Sequence, residues 1–425
     1  MPPATGEIVL EQLRRLPGGE ALLEVAAEHG DVELVGGAVR DLLLGRTPRE
    51  LDVVVGGKTG DDTAGRLARE LGSKLDRLLG IDAPVTISEH QRFGTALLEW
   101  DAGRIDIATR RAESYPEPGA LPAVRAGTPE GDLRRRDFTV NAIAIALGGE
   151  RRGSQRDVEG ALEDLTAGRL RVLHPRSFVD DPTRLLRLAR YRARLGFDVD
   201  DHTAELARAA IAVRALETVS GARIGAELRL ALAEPGALAS LAAIDELGVL
   251  HALHPRLRFE EPVARATLEL LPDDGRPDLA LLASLVLALA LRTQGDPRTE
   301  IVALLDRWDF PAGDRDRVAA AAVAVPRLLE ELPAAIRPSA LRAAAQGVPP
   351  EGIALAGALG CEEPARRWLR DVRHVQLEIT GEDLLAAGLP EGPEIGRRLQ
   401  AVLAQRLDGE LPAGREAELA AALDA

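Results

Sequence analysis

The feature that most limits how this chain can fold is a change of texture near Gly148. Between Val32 and Leu147, short runs rich in β-branched and apolar residues (Val53–Val55, Thr95–Leu98, Ile105–Ala108, Thr139–Ile145) alternate with Gly/Asp turns and helical stretches such as Gly65–Leu79. After Gly148 such runs all but vanish. Ala/Leu/Arg/Glu helices fill the remainder, broken at Pro235-Gly236, Pro255, Pro272–Gly275, Pro311, Pro333, Pro349-Pro350 and Pro390. A sheet of any size must therefore come from the first third of the chain, as one α/β or α+β domain with a long helical remainder behind it. Residues 1–30 read as helix interrupted at Pro17-Gly18-Gly19, and no repeat of fixed period is evident.

Composition narrows the classes further. With 425 residues, 46% hydrophobic and 28% charged, the chain has material for two to four globular domains. No run approaches the roughly 20 apolar residues of a spanning helix, and the N-terminus lacks a basic start followed by an apolar core, so the expectation is a cytoplasmic protein with no membrane partner. Cys361 is the sole cysteine, which excludes an internal disulfide and a Cys-based zinc site. The seven histidines are scattered without metal-ligand spacing, so His251 and His254 read as structural, and Trp308 and Trp368 as packing residues of the helical region. A net charge of −15 argues on its own against nucleic acid. The basic residues, however, are almost all Arg and crowd between Arg134 and Arg194, where a local basic stripe can hold a polyanion.

Three stretches carry chemistry. Val35-Gly36-Gly37-Ala38-Val39-Arg40-Asp41 reads as a strand, a glycine turn and the start of a helix, where adjacent glycines let backbone N–H groups approach an anion. Glu50-Leu51-Asp52 opens a second strand, and carboxylates at i and i+2 point to the same face, as ligands for Mg²⁺ must. Asp106, on the run Ile105–Ala108, is the third acid that two-metal phosphoryl transfer needs, provided its strand pairs beside Leu51–Val55; it is also the candidate to orient or accept the proton of an attacking hydroxyl. An ordinary solvated strand edge is the competing reading of the three acids. Gly57-Lys58-Thr59 ends like a Walker loop, but Asp52 stands where the first glycine is required.

The second stretch, Asp132–Ala142, drives Arg134, Arg135 and Arg136 into an apolar strand or helix, which demands acidic partners or a bound anion such as a triphosphate. Asn141 suits either a sugar hydroxyl or a turn. The third, Val179–Tyr191, starts a helix with Asp at the cap and Pro182 at the first position, and Arg184, Arg187, Arg190 and Arg194 fall on one face. An Asp acceptor beside an Arg donor complements the amino and ring-nitrogen edges of C and A and mismatches U and G, so Asp181 with Arg184 is a candidate base selector; a plain ion pair is the alternative.

Gly36-Gly37-Ala38-Val39-Arg40-Asp41, the acids at 50 and 52, Arg135–Asn141 and Asp180-Asp181-Pro182-Thr183-Arg184 together resemble the class II tRNA nucleotidyltransferase/poly(A) polymerase family. Gly221–Leu228, Leu247–Leu250 and Ile379–Leu384 through Gly392–Gly396 extend the resemblance in family order over nearly the whole chain. It implies an α+β fold, a polymerase-β-like nucleotidyltransferase head (1–148) followed by an all-α neck with a nucleobase-selecting helix (149–220), body (221–330) and tRNA-binding tail (331–425). It implies that Gly37, Arg40, Arg135 or Arg136, Asp181, Arg184, Arg187 and Arg190 bind the incoming nucleotide, and that Glu50 and Asp52 hold Mg²⁺. Arg111 falls where the family carries an arginine near the metal, in a segment, Arg110–Gly119, that resembles the family's mobile loop and is otherwise a solvated loop. The implied reaction is template-independent addition of C and A to the 3′ end of tRNA from CTP and ATP. Partial CC- or A-addition, poly(A) synthesis and RNA binding without catalysis are the alternatives, the acidic C-terminus speaking against poly(A) synthesis. The sequence departs from the family pattern at Glu50, where Asp is usual, and at Asp180, where Glu precedes the Asp.

Overall fold

The computed structural model describes residues 5–57, 62–79, 84–90, 94–292 and 295–424, so Lys58 and Thr59 of the Walker-like segment lie outside the described residues. The chain divides into two compact units, residues 1–219 and 220–425.

The first unit opens with helices α1 (Thr5–Arg14) and α2 (Gly19–Glu28), separated at the expected Pro-Gly-Gly break. Strand β1 (Val32–Val35) is wholly buried and turns at Gly36 into α3 (Gly37–Leu43); β2 (Leu51–Val55) and α4 (Thr63–Leu79) follow. Strands β3 (Thr86–His90), β4 (Thr95–Trp100) and β5 (Gly103–Thr109) form a meander, β6 (Arg111–Ser114) and β7 (Ala123–Ala126) a separate hairpin, and α5 (Pro129–Arg134) leads to β8 (Ile143–Ala146) and β9 (Gln155–Asp157). The main sheet runs β3-β4-β5-β2-β1-β8-β9. β2 is antiparallel to β1 but parallel to β5, and that single parallel pairing sets Asp52 opposite Asp106. Period-two alternation then puts Asp52, Asp106 and Val54 on one face, and Leu51, Val53 and Val55 on the other.

Four expectations need correcting. The sheet runs on past Gly148, where strand-like runs were expected to vanish: β9 adds an edge strand, and its residues Gln155-Arg156-Asp157 are polar and few, so no hydrophobic alternation betrays it. Two further short strands, Arg169–Leu170 and Asp198–Val199, pair in parallel beyond it. Thr139–Ile145 is not one strand, since Thr139–Asn141 forms a 3₁₀ turn before β8 begins. Arg110–Gly119 is not simply loop: its first residues enter the β6–β7 hairpin, whose β7 is exposed throughout and so shows no buried face in the sequence.

Helices α6 (Ala161–Ala167), α7 (Ser177–Asp180) and α8 (Arg184–Leu195) follow. Leu185, Leu186, Leu188 and Ala189 bury one side of α8, and Gly196, at φ 70°, ends it in the left-handed conformation that favours glycine. The second unit is helical among its described residues, from Gly221–Leu232 to Arg415–Asp424. Its core includes Leu328, Leu341, Ile353 and Leu369, with Cys361 packed among them. Glu351, fully buried there, accepts from the Arg276 backbone N–H and from Arg317, both at 2.8 Å, and so is satisfied as a structural acid. No described helix is long and apolar enough to cross a membrane.

Candidate active site

The site is built at the ends of β1 and β2, in the middle of β5, and at α5 and α8. Gly36 sits at φ 69°, and a Cβ placed on it would come within 2.6 Å of Arg136 Nη1 and 3.5 Å of Asp52 Oδ2. The turn thus requires glycine twice over, for its backbone and for the space. α3 is only seven residues long, so Gly37 contributes its N–H groups more than a helix dipole.

The sheet brings three acids together: Glu50, Asp52 and Asp106 can each present an oxygen within 4.8 Å of the others. Burial pushes the Asp52 carboxyl up to about 7, together with the Glu50 and Asp106 charges and against the opposing pull of Arg136 and Arg40. The donor set is entirely carboxylate oxygen, and the Asp52 carboxyl is crowded by its two acidic neighbours. Both observations fit a hard divalent cation. Asp106, expected as the third acid and as the candidate proton handler, stands with the two expected ligands.

Arginines crowd the other side. Arg135 is saturated by acids: its Nε and Nη2 donate to Asp132 Oδ1 at 3.0 and 2.8 Å, and its Nη1 to Glu113 Oε1 at 3.0 Å. Arg111 Nε donates to the same Glu113 oxygen at 3.0 Å. Arg136 Nη2 reaches Asp132 Oδ2 at 3.1 Å, its Nε makes no hydrogen bond, and its Nη1 overhangs Gly36 toward Asp52. Of the consecutive arginines, Arg136 is therefore the one aimed at the carboxylates. Burial alone would raise the Asp132 carboxyl, but the charges of Arg135 and Arg136 hold it below the usual range.

A second network ties α3 to α8. Arg40, 1% exposed, donates from Nε to Asp41 Oδ1 at 2.8 Å and from Nη1 to Asn141 Oδ1 at 2.6 Å. Asn141 Nδ2 donates to Asp137 Oδ1 at 2.9 Å, and Asp137 Oδ2 accepts from Arg187 Nε at 2.9 Å and Nη2 at 2.6 Å. Arg194 completes the link on Asp41 at 3.2 Å. Both ends of the Asn141 amide are thus engaged by protein, which makes it a bridge within the site. Arg40, Arg187 and Arg190 hold their guanidinium carbons 5.3, 5.6 and 5.1 Å from the centroid of the Tyr191 ring, within cation–π range.

The helix start differs from expectation. Thr183, not Asp181, occupies the position before the first helical residue, and the first turn is tight, with Arg184 N–H bonding to Asp181 O at 3.1 Å. Asp181 still acts from the side chain, accepting from Thr183 N–H at 3.2 Å and Thr183 Oγ1 at 2.6 Å. Arg184, only 4% exposed, donates to Ser177 Oγ at 2.7 Å and to the Arg135 carbonyl at 2.8 Å. Arg184 and Asp181 both act electrostatically on Tyr115, whose hydroxyl burial pushes up to about 12. Sequence reasoning missed Asp132, Glu113, Asp137 and Tyr191. The buried arginines call for acidic partners, but only Asp132, three residues before Arg135, has a spacing that names it.

An antiparallel-dominated sheet with one parallel pair, three convergent carboxylates and an arginine-lined glycine turn defines a nucleotidyltransferase-type head. Residues 32–171 match the sequence profile of the Poly A polymerase head domain. The chain is 33% identical to the CC-adding tRNA nucleotidyltransferase of Deinococcus radiodurans, over 92% of this chain and 88% of that protein. It is 32% identical to the A-adding tRNA nucleotidyltransferase of Geobacter sulfurreducens over 96% of this chain, but spans only 48% of that relative's length. Among solved structures, the Thermotoga maritima CCA-adding enzyme complexed with tRNA superposes with a TM-score of 0.72 at 28% identity, covering 98% of this chain and 97% of that one. The chain belongs to the tRNA nucleotidyltransferase/poly(A) polymerase family.

Proposed function

We propose that this protein adds C and A, without a template, to the 3′ end of tRNA from CTP and ATP, releasing pyrophosphate. The observation that carries the reading is the register of β2 against β5, which aligns Asp52 with Asp106 beside Glu50, with Arg136 across Gly36 from Asp52. Glu50, Asp52 and Asp106 would hold Mg²⁺, which when bound supplies positive charge for the α-phosphate and acidifies the terminal ribose hydroxyl. The chain's own residues divide the remaining work. Gly36 and Gly37 bring backbone close to the triphosphate, Arg136 offers it free donors, and Arg40 and Arg111 add charge. Asp181 and Arg184 would supply an acceptor and a donor suited to C and A once Arg184 exchanges its Ser177 or Arg135 contact for the base, with Arg187 and Arg190 held beside them by Asp137 and Tyr191. The basic face is local, which reconciles a polyanionic partner with a chain of net charge −15. The helices of residues 220–425 are the natural holder of the tRNA body, and 221–330 and 331–425 serve as body and tail.

A second reading, addition of CC alone, is favoured by one finding: a relative at 33% identity, matched along 88% of its own length, is a CC-adding enzyme. The test offers tRNA ending before the first C, after one C and after CC, with labelled CTP and ATP supplied separately. Full CCA addition predicts CMP on the first two and AMP on the third. Incorporation of CMP with none of AMP establishes the second reading, and no incorporation of either removes both.

A further inference from the structure

Arg104 lies on β5 two residues before Asp106, so its side chain emerges on the same face as the acids. Its Nε donates to Asp106 Oδ2 at 2.9 Å and stands 3.3 Å from Glu50 Oε2, while Nη2 reaches Asp106 Oδ1 at 3.5 Å. The guanidinium therefore draws on both oxygens of one proposed metal ligand and one oxygen of another. A third acid, Glu99, is its cross-strand partner in the β4–β5 register and accepts from Nη1 at 3.5 Å, yet Glu99 is not among the convergent triad. Arg104 consequently has one partner that a cation on the triad would leave available and two that it would not.

We propose that Arg104 is a positioning residue for the metal: it braces the longer Glu50 side chain against Asp106, competes with the divalent cation for those two carboxylates, and yields to it by retreating to Glu99. This rests on the metal-site reading above. The consequence is an affinity set lower than three carboxylates alone would give, which ties cation retention to the arrival of a nucleotide's phosphate oxygens. A guanidinium contact also differs from a distant charge, since its planar fork matches a carboxylate while an ammonium at the same position is a mobile point charge. Arg104 is half-exposed, as are its partners, so the individual contacts are weak and the expected change in affinity is moderate, about three- to tenfold.

The test is Mn²⁺ binding to the full chain without nucleotide, read from the free-ion EPR signal, for the wild type and for Arg104→Met, Arg104→Lys and Asp52→Asn, each checked for native circular dichroism. Arg104→Met is expected to tighten Mn²⁺ about three- to tenfold. Arg104→Lys is expected to tighten it less, but measurably, because the charge stays while the fork is lost. An unchanged dissociation constant in Arg104→Met overturns the inference, as does an Arg104→Lys protein that binds like wild type, since charge alone would then account for the effect. If Asp52→Asn leaves Mn²⁺ binding intact, the metal-site reading itself fails, a result distinct from either of those. In the Arg104→Met background, Glu99→Gln should no longer alter the affinity; a persisting effect would refute the retreat to Glu99.

Discussion

Asp137 offers the sharpest perturbation. It is 7% exposed and receives Arg187 through two hydrogen bonds, Asn141 Nδ2 and the Phe138 N–H, so every lone pair has an occupant. Asp137→Asn keeps the shape but turns an amide N–H toward a donor and leaves Arg187 without its counter-charge. Breaking a buried pair from one side costs about 3–5 kcal/mol. Arg187 retains 30% exposure and can be partly rehydrated, which lowers the estimate to about 2–3 kcal/mol. For a unit of this size that corresponds to a melting-temperature drop of roughly 5–10 °C by calorimetry. The pH dependence carries its own sign. Burial would raise the carboxyl, but Arg187, with Asn141 and Arg184 adding to it, holds it well below the usual carboxylate range. A depressed pKa contributes stability that is fully present above the unfolded value, about 3.9, and lost as pH falls through the folded value. The gap between wild type and Asp137→Asn should therefore be constant from about pH 7 to 5 and close only in stronger acid. A variant melting within about 1 °C of wild type at pH 7, or a gap that widens on acidification, would refute this reasoning.

Three further outcomes follow from the same geometry. Gly36→Ala places a Cβ against Arg136 at positive φ, a strain of about 1–2 kcal/mol, and should depress nucleotide incorporation while sparing tRNA binding measured by gel shift; normal incorporation would remove Arg136 and the glycine turn from the site. Asp52→Asn should raise the melting temperature at pH 8 in metal-free buffer, with the advantage fading toward pH 4, because a carboxyl raised to about 7 destabilises the fold as it ionises; a lower melting temperature at pH 8 would contradict the crowding of acids. Tyr191→Ala, which removes a platform shared by Arg40, Arg187 and Arg190, should raise the KM for CTP about tenfold, whereas Tyr191→Phe should stay within about twofold; equal effects would assign the role to the hydroxyl.

The parts of the fold that were legible in the sequence are those where burial writes a pattern. Val32–Val35 and Leu51–Val55 are largely apolar strands beside a glycine turn, and Asp106 falls in a run whose alternation matches the Asp52 strand, so the convergence of the acids could be anticipated once those two strands were taken to pair, which the fold supplies. β9 and the β6–β7 hairpin were not legible, because edge strands of polar or small residues carry no inside and outside to read. The site shows the same division. Arg40, Arg136 and the helix bearing Arg184, Arg187 and Arg190 stand out by charge in apolar surroundings. Their partners do not: Glu113 reaches Arg135 across 22 positions and Asp137 reaches Arg187 across 50, distances that only the folded chain closes. Thr183 rather than Asp181 precedes α8, a difference of the size that terminal turns commonly introduce.

The most direct test of the central claim is a single comparison: Mg²⁺-dependent transfer of labelled CMP from CTP to a tRNA lacking its terminal CCA, by wild type, Asp52→Asn and Asp106→Asn proteins that bind the tRNA equally. The account predicts extension by the wild type and a loss of at least about a hundredfold in each variant. Extension by either variant at the wild-type rate would contradict it.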